Sequence, residues 1–381
     1  MTGEGDHTDV LEEVTGSVCP ACLRRGMLVG LLAARLADRL AGSRRNPSAV
    51  LSLDDEKLVA ALAGAGKRHE AQRFLAEFDA DEALARVSAA GVAAVCRHSI
   101  AYPTRLLQLS DPPAVLFLRG NPVRGLAAFS RGPAVAIVGS RKASPHAIQM
   151  AQELGRGLAV AGVTVVSGLA LGVDAGAHVG AFDGGGFPVA VLGGGPDVVY
   201  PRANARLQGR IEAEGLLMSE LPPGQRPFRW SFPARNRIMA GLCEATVVVE
   251  AAEGSGSLIT TEFAEDLGRI VGAVPGPALW ERSKGSNALL RSGAVVITRT
   301  EDILDELYGV GIAPPPPVRE EPTGTGPEEA VLAAIESGAG IDGACEASGL
   351  PVAEVRATLT RLEEAGRLRR SALGGYARTS R

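Results

Sequence analysis

Residues 134–145 read AVAIVGSRKASP, and this stretch decides how the chain is built. Ala134 to Val138 are apolar without polar alternation, which marks a short strand buried on both faces. Gly139-Ser140-Arg141 ends the run. Ser144-Pro145 then opens a helix, with Ser as N-cap and Pro at the first helical position. A strand passing through a glycine loop into a helix is half of a parallel α/β unit. The texture repeats downstream: strands are predicted at Thr164 to Val166, Val189 to Leu192, Ala245 to Glu250 and Ile270 to Val274. Helical stretches separate them, to about Gly162, through His178, and near 203–214, 233–242 and 258–267. The expected core is therefore α/β, a Rossmann-like parallel sheet covered on both faces. In such a sheet ligands bind at the carboxyl ends of the strands.

Upstream, residues 17 to 108 read as helical, because Leu28 to Leu40, Asp54 to Ala63 and Asp79 to Ala90 carry apolar residues at three-to-four spacing. Downstream, Pro314 to Pro317 begins a stiff polar linker. Beyond it, Glu328 to Ser337, Ile341 to Ser348 and Val352 to Ala365 read as three short helices. Arg367 to Ser371 and Tyr376 to Arg378, around Gly374-Gly375, read as a two-stranded wing, so the tail is expected to be a winged helix. The expected domains are a helical N-terminal domain (1–108), a Rossmann-like domain (109–310), a linker (311–326) and a winged helix (327–381).

Bulk properties set bounds. A net charge of −4 excludes a strongly basic chain, so nucleic-acid binding must come from a local patch. The best membrane candidate, Met27 to Leu36, contains Arg35, follows Arg24 and Arg25, and falls short of the ~18 residues a span needs. The acidic start lacks the basic opening of a signal peptide, so the protein is expected in the cytoplasm with its five cysteines reduced or metal-bound.

The chemistry sits in loops. Gly139 allows close backbone approach, Ser140 brings a hydroxyl, the following helix N-terminus brings free N–H groups, and Arg141 brings a fork suited to phosphate. Other nucleotide motifs fail. Gly193 and Gly195 are followed by Val198 where a third glycine belongs, and Gly66-Lys67 lacks the first glycine of a P-loop and continues into Arg68. No nucleotide cofactor is expected. Tyr200 to Asn204, Pro233 to Arg237 and Gly254 to Thr261 are placed at the same sheet edge, so Arg141, Arg202, Arg235 and Arg237 are expected to line one basic face.

Together these motifs make the chain resemble the DprA/Smf family. The resemblance rests on Val135 to Arg141, Ser167 to Ala170 with Gly172-Val173-Asp174 and Ala177-His178, Tyr200 to Asn204, Ser219-Glu220, Phe232 to Ile238, Val249 to Ala251, Ser255 to Thr260 and Val274-Pro275-Gly276. It runs from about 100 to 308. It implies a Rossmann-like domain that binds single-stranded DNA, as a homodimer, and delivers it to the RecA recombinase in natural transformation or recombination. Gly139, Ser140, Arg141 and Arg202 match family positions that touch DNA, and Lys284-Gly285 matches a basic loop nearby. The expected DNA-binding set is Gly139, Ser140, Arg141, Ser167, Gly168, Arg202, Asn204, Arg235, Asn236, Arg237, Ser255, Gly256, Ser257 and Lys284. One departure is Leu171, where the family pattern carries Arg. With aromatics at 4%, binding is expected to lean on phosphates more than on base stacking.

Two other classes compete. Asp174 and His178 lie four apart on one helix and could form an acid/base pair or half of a metal site, but a capping Asp and a hydrogen-bonded structural His also fit. Glu250 beside a Gly-Ser loop, with Thr260-Thr261-Glu262, superficially resembles nucleotide phosphoribohydrolases. The longer family match argues against catalysis. A winged-helix duplex-DNA regulator is the third class, because the tail from Pro351 has seven arginines against three acids. Finally, Cys19 and Cys22 have the spacing of a metal clasp, and Cys96 with His98 offers a second pair. These four residues form a candidate structural zinc site. Idle thiols and a redox pair remain alternatives. Cys243 and Cys345 are expected in cores.

Overall fold

The computed structural model describes residues 18–40, 48–62, 64–312, 327–336, 340–364, 368–370 and 376–378. Two compact units emerge, residues 1–317 and 318–381.

The first unit is built on a nine-stranded sheet: β1 (Ala93–Cys96), β2 (Val115–Gly120), β3 (Ala134–Val138), β4 (Thr164–Ser167), β5 (Val189–Val191), β6 (Leu216–Ser219), β7 (Ala245–Val248), β8 (Ile270–Ala273) and β9 (Val295–Val296). Their spatial order is β1-β2-β6-β5-β4-β3-β7-β8-β9. From β6 to β9 all pairings are parallel, and β2 joins β6, and β1 joins β2, antiparallel. The chain leaves β3 towards β4, β5 and β6, then returns to β7 on the other side of β3. That reversal opens a crevice at the carboxyl ends beside β3.

Among the described residues, five helices precede β2: α1 (Pro20–Leu40), α2 (Ser48–Leu51), α3 (Asp55–Leu62), α4 (Ala65–Ala76) and α5 (Ala80–Ala89). Eight more cover the sheet: α6 (Pro122–Arg131), α7 (Pro145–Val160), α8 (Val173–Asp183), α9 (Ala205–Glu214), α10 (Ser231–Leu242), α11 (Leu258–Asp266), α12 (Lys284–Arg291) and α13 (Thr300–Tyr308). Strand β3 shows why both faces need covering. Ala134, Ala136 and Val138 pack with Phe129 of α6 and Ile238 and Leu242 of α10. Val135 and Ile137 pack on the other side with Leu154 and Leu158 of α7, Ala177 of α8 and Ile303 of α13. Successive side chains point to opposite faces, so an unbroken apolar run fills both cores.

The helical reading of 17–108 fails at β1. Gly91, at φ +67°, ends the turn after α5, and the four buried residues of β1 pair with β2 from Ala93↔Leu118 to Cys96↔Val115. Partners twenty residues away decide this strand, which helical spacing cannot register. The upstream helices also belong to the first unit, with no division near residue 108. Leu28, Leu32 and Leu36 of α1 pack with Leu58 and Trp230, and the Trp230 indole N–H donates to the Ala33 carbonyl at 2.9 Å. Cys22 and Leu23 pack with Val87, Ala94 and Phe117.

The second unit has α14 (Pro327–Glu336), α15 (Ile341–Ser348), α16 (Val352–Glu364) and an antiparallel pair, β10 (Leu368–Arg370) and β11 (Tyr376–Arg378). Val331, Ala344, Val355, Leu359 and Leu368 form its core. This is the expected winged-helix order. Most of the linker and the wing turn lie outside the described residues. No described helix is long and apolar enough to cross a membrane.

Candidate nucleic-acid interface

The crevice beside β3 is a cleft of about 860 Å³. Its walls come from the exits of β3 to β8, four of which carry its exposed cations and its glycine and serine loops. The β3–α7 loop brings Gly139 to Lys142, and the segment into α10 brings Arg229, Phe232, Arg235 and Asn236. The loop after β7 brings Ala252 to Ser257, and the segment before α12 brings Arg282.

The first loop is held tightly. Gly139 has no room for a Cβ, which would meet Val173 at 2.7 Å and the Glu250 carbonyl at 2.9 Å. The Ser140 N–H donates to the Glu250 carbonyl at 2.7 Å, and the Lys142 N–H donates to Ser140 Oγ at 3.1 Å. Ser144 caps α7 by accepting from the Ala147 N–H, and its hydroxyl donates to the Glu250 carboxylate at 2.6 Å. Glu250 is thus a buried tie between the end of β7 and the start of α7.

Arg141, Lys142, Arg229 and Arg282 are exposed around the rim, and Glu253 is the exposed acid among the lining residues. Thr260 Oγ1, also at the lining, is buried and unpartnered. The Ser255 and Ser257 hydroxyls lie 2.8 Å apart. The cleft therefore presents cations, hydroxyls and a glycine loop to one volume, a combination suited to phosphates.

An aromatic pair was not foreseen. Tyr200 and Phe232 approach with ring centroids 5.6 Å apart, and the Arg141 guanidinium stacks 4.7 Å over Phe232. They border a second, smaller cavity of about 80 Å³ with Leu169, Leu171 and Leu192. Stacking is available here alongside charge. The two rings are thirty-two positions apart in a chain poor in aromatics, so only the fold brings them together.

Several expected contacts turn out to be scaffold. Arg237 is 1% exposed, and its guanidinium donates to Asp111 at 2.8 Å and to both Glu220 oxygens at 2.7 and 2.9 Å. It does not line the cleft. Ser167 is buried, its hydroxyl donating to the Ile137 carbonyl at 2.6 Å. Gly168 gives its carbonyl to Arg235, which also donates to Val191 O at 2.6 Å and lies 3.6 Å from Asp174. Arg235 therefore forms the cleft floor with its fork already engaged. Burial lowers its pKa to about 10, still protonated at neutral pH, and raises that of Asp174. Asn236 accepts from Arg235 and donates to the Gly256 carbonyl at 3.0 Å. Asn204 donates to the Leu169 and Ala170 carbonyls, fixing that loop. Arg202 and Lys284 are exposed but lie outside the residues lining the cleft, and Lys284 pairs with Glu281. Arg282 takes the place expected of Lys284.

Asp174 accepts from the Ala170 N–H at 3.3 Å rather than capping α8, whose N-cap is Gly172. His178 is fully buried and neither ring nitrogen has a hydrogen-bond partner. The expected hydrogen-bonded histidine is thus a solitary one. Burial, with the Arg235 charge, holds its pKa down to about 3, so it is neutral at pH 7.

The four soft ligands of the N-terminal region do meet. One ligand atom from each of Cys19, Cys22, Cys96 and His98 lies within 4.8 Å of the others.

A doubly wound Rossmann-like sheet with a cationic cleft at its switch point, followed by a winged helix, defines the class of protein. The chain belongs to the DprA/Smf family: residues 93–308 match the DNA recombination-mediator protein A family, and residues 314–372 match the DprA winged helix domain. It is 44% identical over 205 residues to DNA processing protein DprA of Streptococcus pneumoniae, covering 54% of this chain and 71% of that protein. The X-ray structure of S. pneumoniae DprA superposes with a TM-score of 0.60 at 32% identity, covering 76% of this chain and 99% of the other. DNA processing protein A from Helicobacter pylori, whose structure concerns its single-stranded DNA binding mode, superposes with a TM-score of 0.51 at 28% identity, covering 57% of this chain and 95% of the other.

Proposed function

We propose that this protein binds single-stranded DNA in the cleft beside β3 and passes it to the RecA recombinase in natural transformation or recombination. It acts in the cytoplasm as a homodimer and catalyses no chemical step. One observation carries the reading: four exposed cations surround glycine and serine loops at the sheet's switch point, with an aromatic pair at the rim. The single-stranded DNA binding of the H. pylori relative supports it. Against catalysis stand the buried, unpartnered His178 and the capture of Asp174 by Arg235 and of Glu250 by Ser144.

Phosphate contacts make binding salt-dependent, with a slope of about −0.7 per contact for single strands. Replacing Arg141, Lys142 and Arg282 together by Ala is expected to flatten the salt dependence of oligo-dT binding by about 2. Fluorescence anisotropy across a salt series reads this out, with duplex DNA as the comparison. A triple variant that binds as tightly as the parent, with the same slope, refutes the cleft as the DNA site.

Leu171 offers the converse test. It is 41% exposed beside the smaller cavity, at the position where the family pattern carries Arg. Leu171→Arg is expected to tighten oligo-dT binding and steepen the salt slope by about 0.7. An unchanged slope means that DNA does not pass this loop.

A further inference from the structure

We infer that Cys19, Cys22, Cys96 and His98 hold a structural zinc ion that staples the start of α1 to the end of β1. The cluster draws on separate parts of the chain. Cys19 directly precedes α1 and Cys22 lies in its first turn, while Cys96 ends β1 and His98 follows in the next turn.

The spacing is that of a coordination shell. A tetrahedral zinc about 2.3 Å from sulfur and about 2.0 Å from imidazole nitrogen sets edges of roughly 3.8 Å between sulfurs and 3.5 Å from sulfur to nitrogen. The Cys19 and Cys22 sulfurs each lie 3.4 Å from His98 Nδ1, and all four ligand atoms fall within 4.8 Å of one another. A single ring nitrogen has one lone pair or one proton to offer. Two thiols converging on it are therefore poorly explained as hydrogen bonding and well explained as two edges of one tetrahedron.

The surroundings suit a thiolate centre. The Cys19 N–H points at Cys96 Sγ at 3.4 Å, as a backbone donor does towards a metal-bound sulfur. Cys22 and Cys96 are 3% and 1% exposed, whereas Cys19 is half-buried and His98 exposed, so the cluster has a buried base and an open side for metal entry. Zinc binding displaces three thiol protons to solvent and leaves three thiolates, one neutral imidazole and Zn²⁺, a net charge of −1. The N-terminus of α1 lies against this charge, and Arg97 lines the same cavity as Cys22 and His98.

The donor set favours zinc over harder cations, because thiolate and imidazole are its preferred ligands. Four protein ligands complete the shell, which makes the centre structural. It also stands apart from the DNA cleft. Residue Cys96 and β3 share one sheet edge but lie five strand positions apart, about 24 Å at the usual strand spacing.

The experiment is metal analysis of the full chain purified without a His-tag. About one zinc per chain is expected, with a melting temperature that falls by several degrees on chelation and recovers on adding zinc. Cobalt added to the chelated protein is expected to give the visible absorption of a tetrahedral thiolate site. Cys22→Ser should lose both metal and absorption, whereas His98→Cys should retain one metal per chain as a four-cysteine site. The cobalt spectrum of the parent keeps the test valid should Cys22→Ser fail to fold. Metal-free protein whose melting is indifferent to chelator overturns the inference. So does a Cys19–Cys22 disulfide in protein that takes up no cobalt, or undiminished zinc in folded Cys22→Ser.

Discussion

Arg237→Met is expected to destabilise the first unit by about 3–5 kcal/mol, the usual cost of removing one partner from a buried ion cluster. Arg237 gathers Asp111 from the loop before β2, Glu220 from the end of β6 and the Ala234 carbonyl of its own helix. Methionine fills much of the volume but leaves the buried Asp111 and the partly buried Glu220 without a countercharge. For a unit of this size the loss corresponds to a melting temperature lower by roughly 10 °C. The companion triple variant, Arg237→Met with Asp111→Asn and Glu220→Gln, should recover most of the loss because no charge is stranded. Urea unfolding of both proteins checks the pair. A single variant within about 1 kcal/mol of the parent would show that the carboxylates reach water. Oligo-dT affinity of the folded single variant should match the parent, which separates this role from direct DNA contact.

His178 gives the stability a pH dependence that is opposite to that of a paired histidine. Its pKa falls from 6.5 in the unfolded chain to about 3 in the fold, so the unfolded state takes up the proton first. Its contribution is complete above pH 6.5 and is lost progressively as pH falls towards 3. At ~1.4 kcal/mol per unit, the histidine's own contribution should fall by roughly 2 kcal/mol between pH 6.5 and 5. Burial raises the Asp174 carboxyl, which acts in the opposite sense, so the difference between parent and a His178 variant, rather than the parent's slope alone, isolates the histidine. His178→Leu removes two unsatisfied nitrogens, should cost little at pH 7 and should flatten the slope. Equal slopes for parent and variant would mean that the ring is hydrated or hydrogen-bonded.

The parallel core was legible because its strands are apolar throughout and its loops carry Gly, Ser and Arg at each exit. The run 134–145 needs no distant information: both faces of β3 are buried, and any strand like it must lie inside a sheet. The loop Gly139 to Arg141 was legible for the same reason. Arg237 was misplaced, and Arg235 was read as a free cation rather than an engaged cleft floor, because both look identical to rim cations until Asp111 and Asp174, 126 and 61 residues away, are folded against them. Ser167 was misplaced because a hydroxyl at a strand end can turn to the ligand or to a neighbouring strand, and here it turns to Ile137. The rim residues Arg229 and Arg282 carried no motif. For Arg229 the only signal was positive charge just before a predicted helix.

The central position of β3 also orders events in time. It is an early strand of the sheet, yet its neighbour β7 and the carbonyl that fixes Ser140 arrive more than a hundred residues later. A chain emerging from the ribosome can therefore present the Gly139 loop only as an unfinished edge, and Arg282 comes later still. The β3–β4 half has parallel pairings and no ligand pocket until that second half closes it. Under the proposed function, DNA binding then comes late in synthesis, when the far wall of the cleft has been delivered.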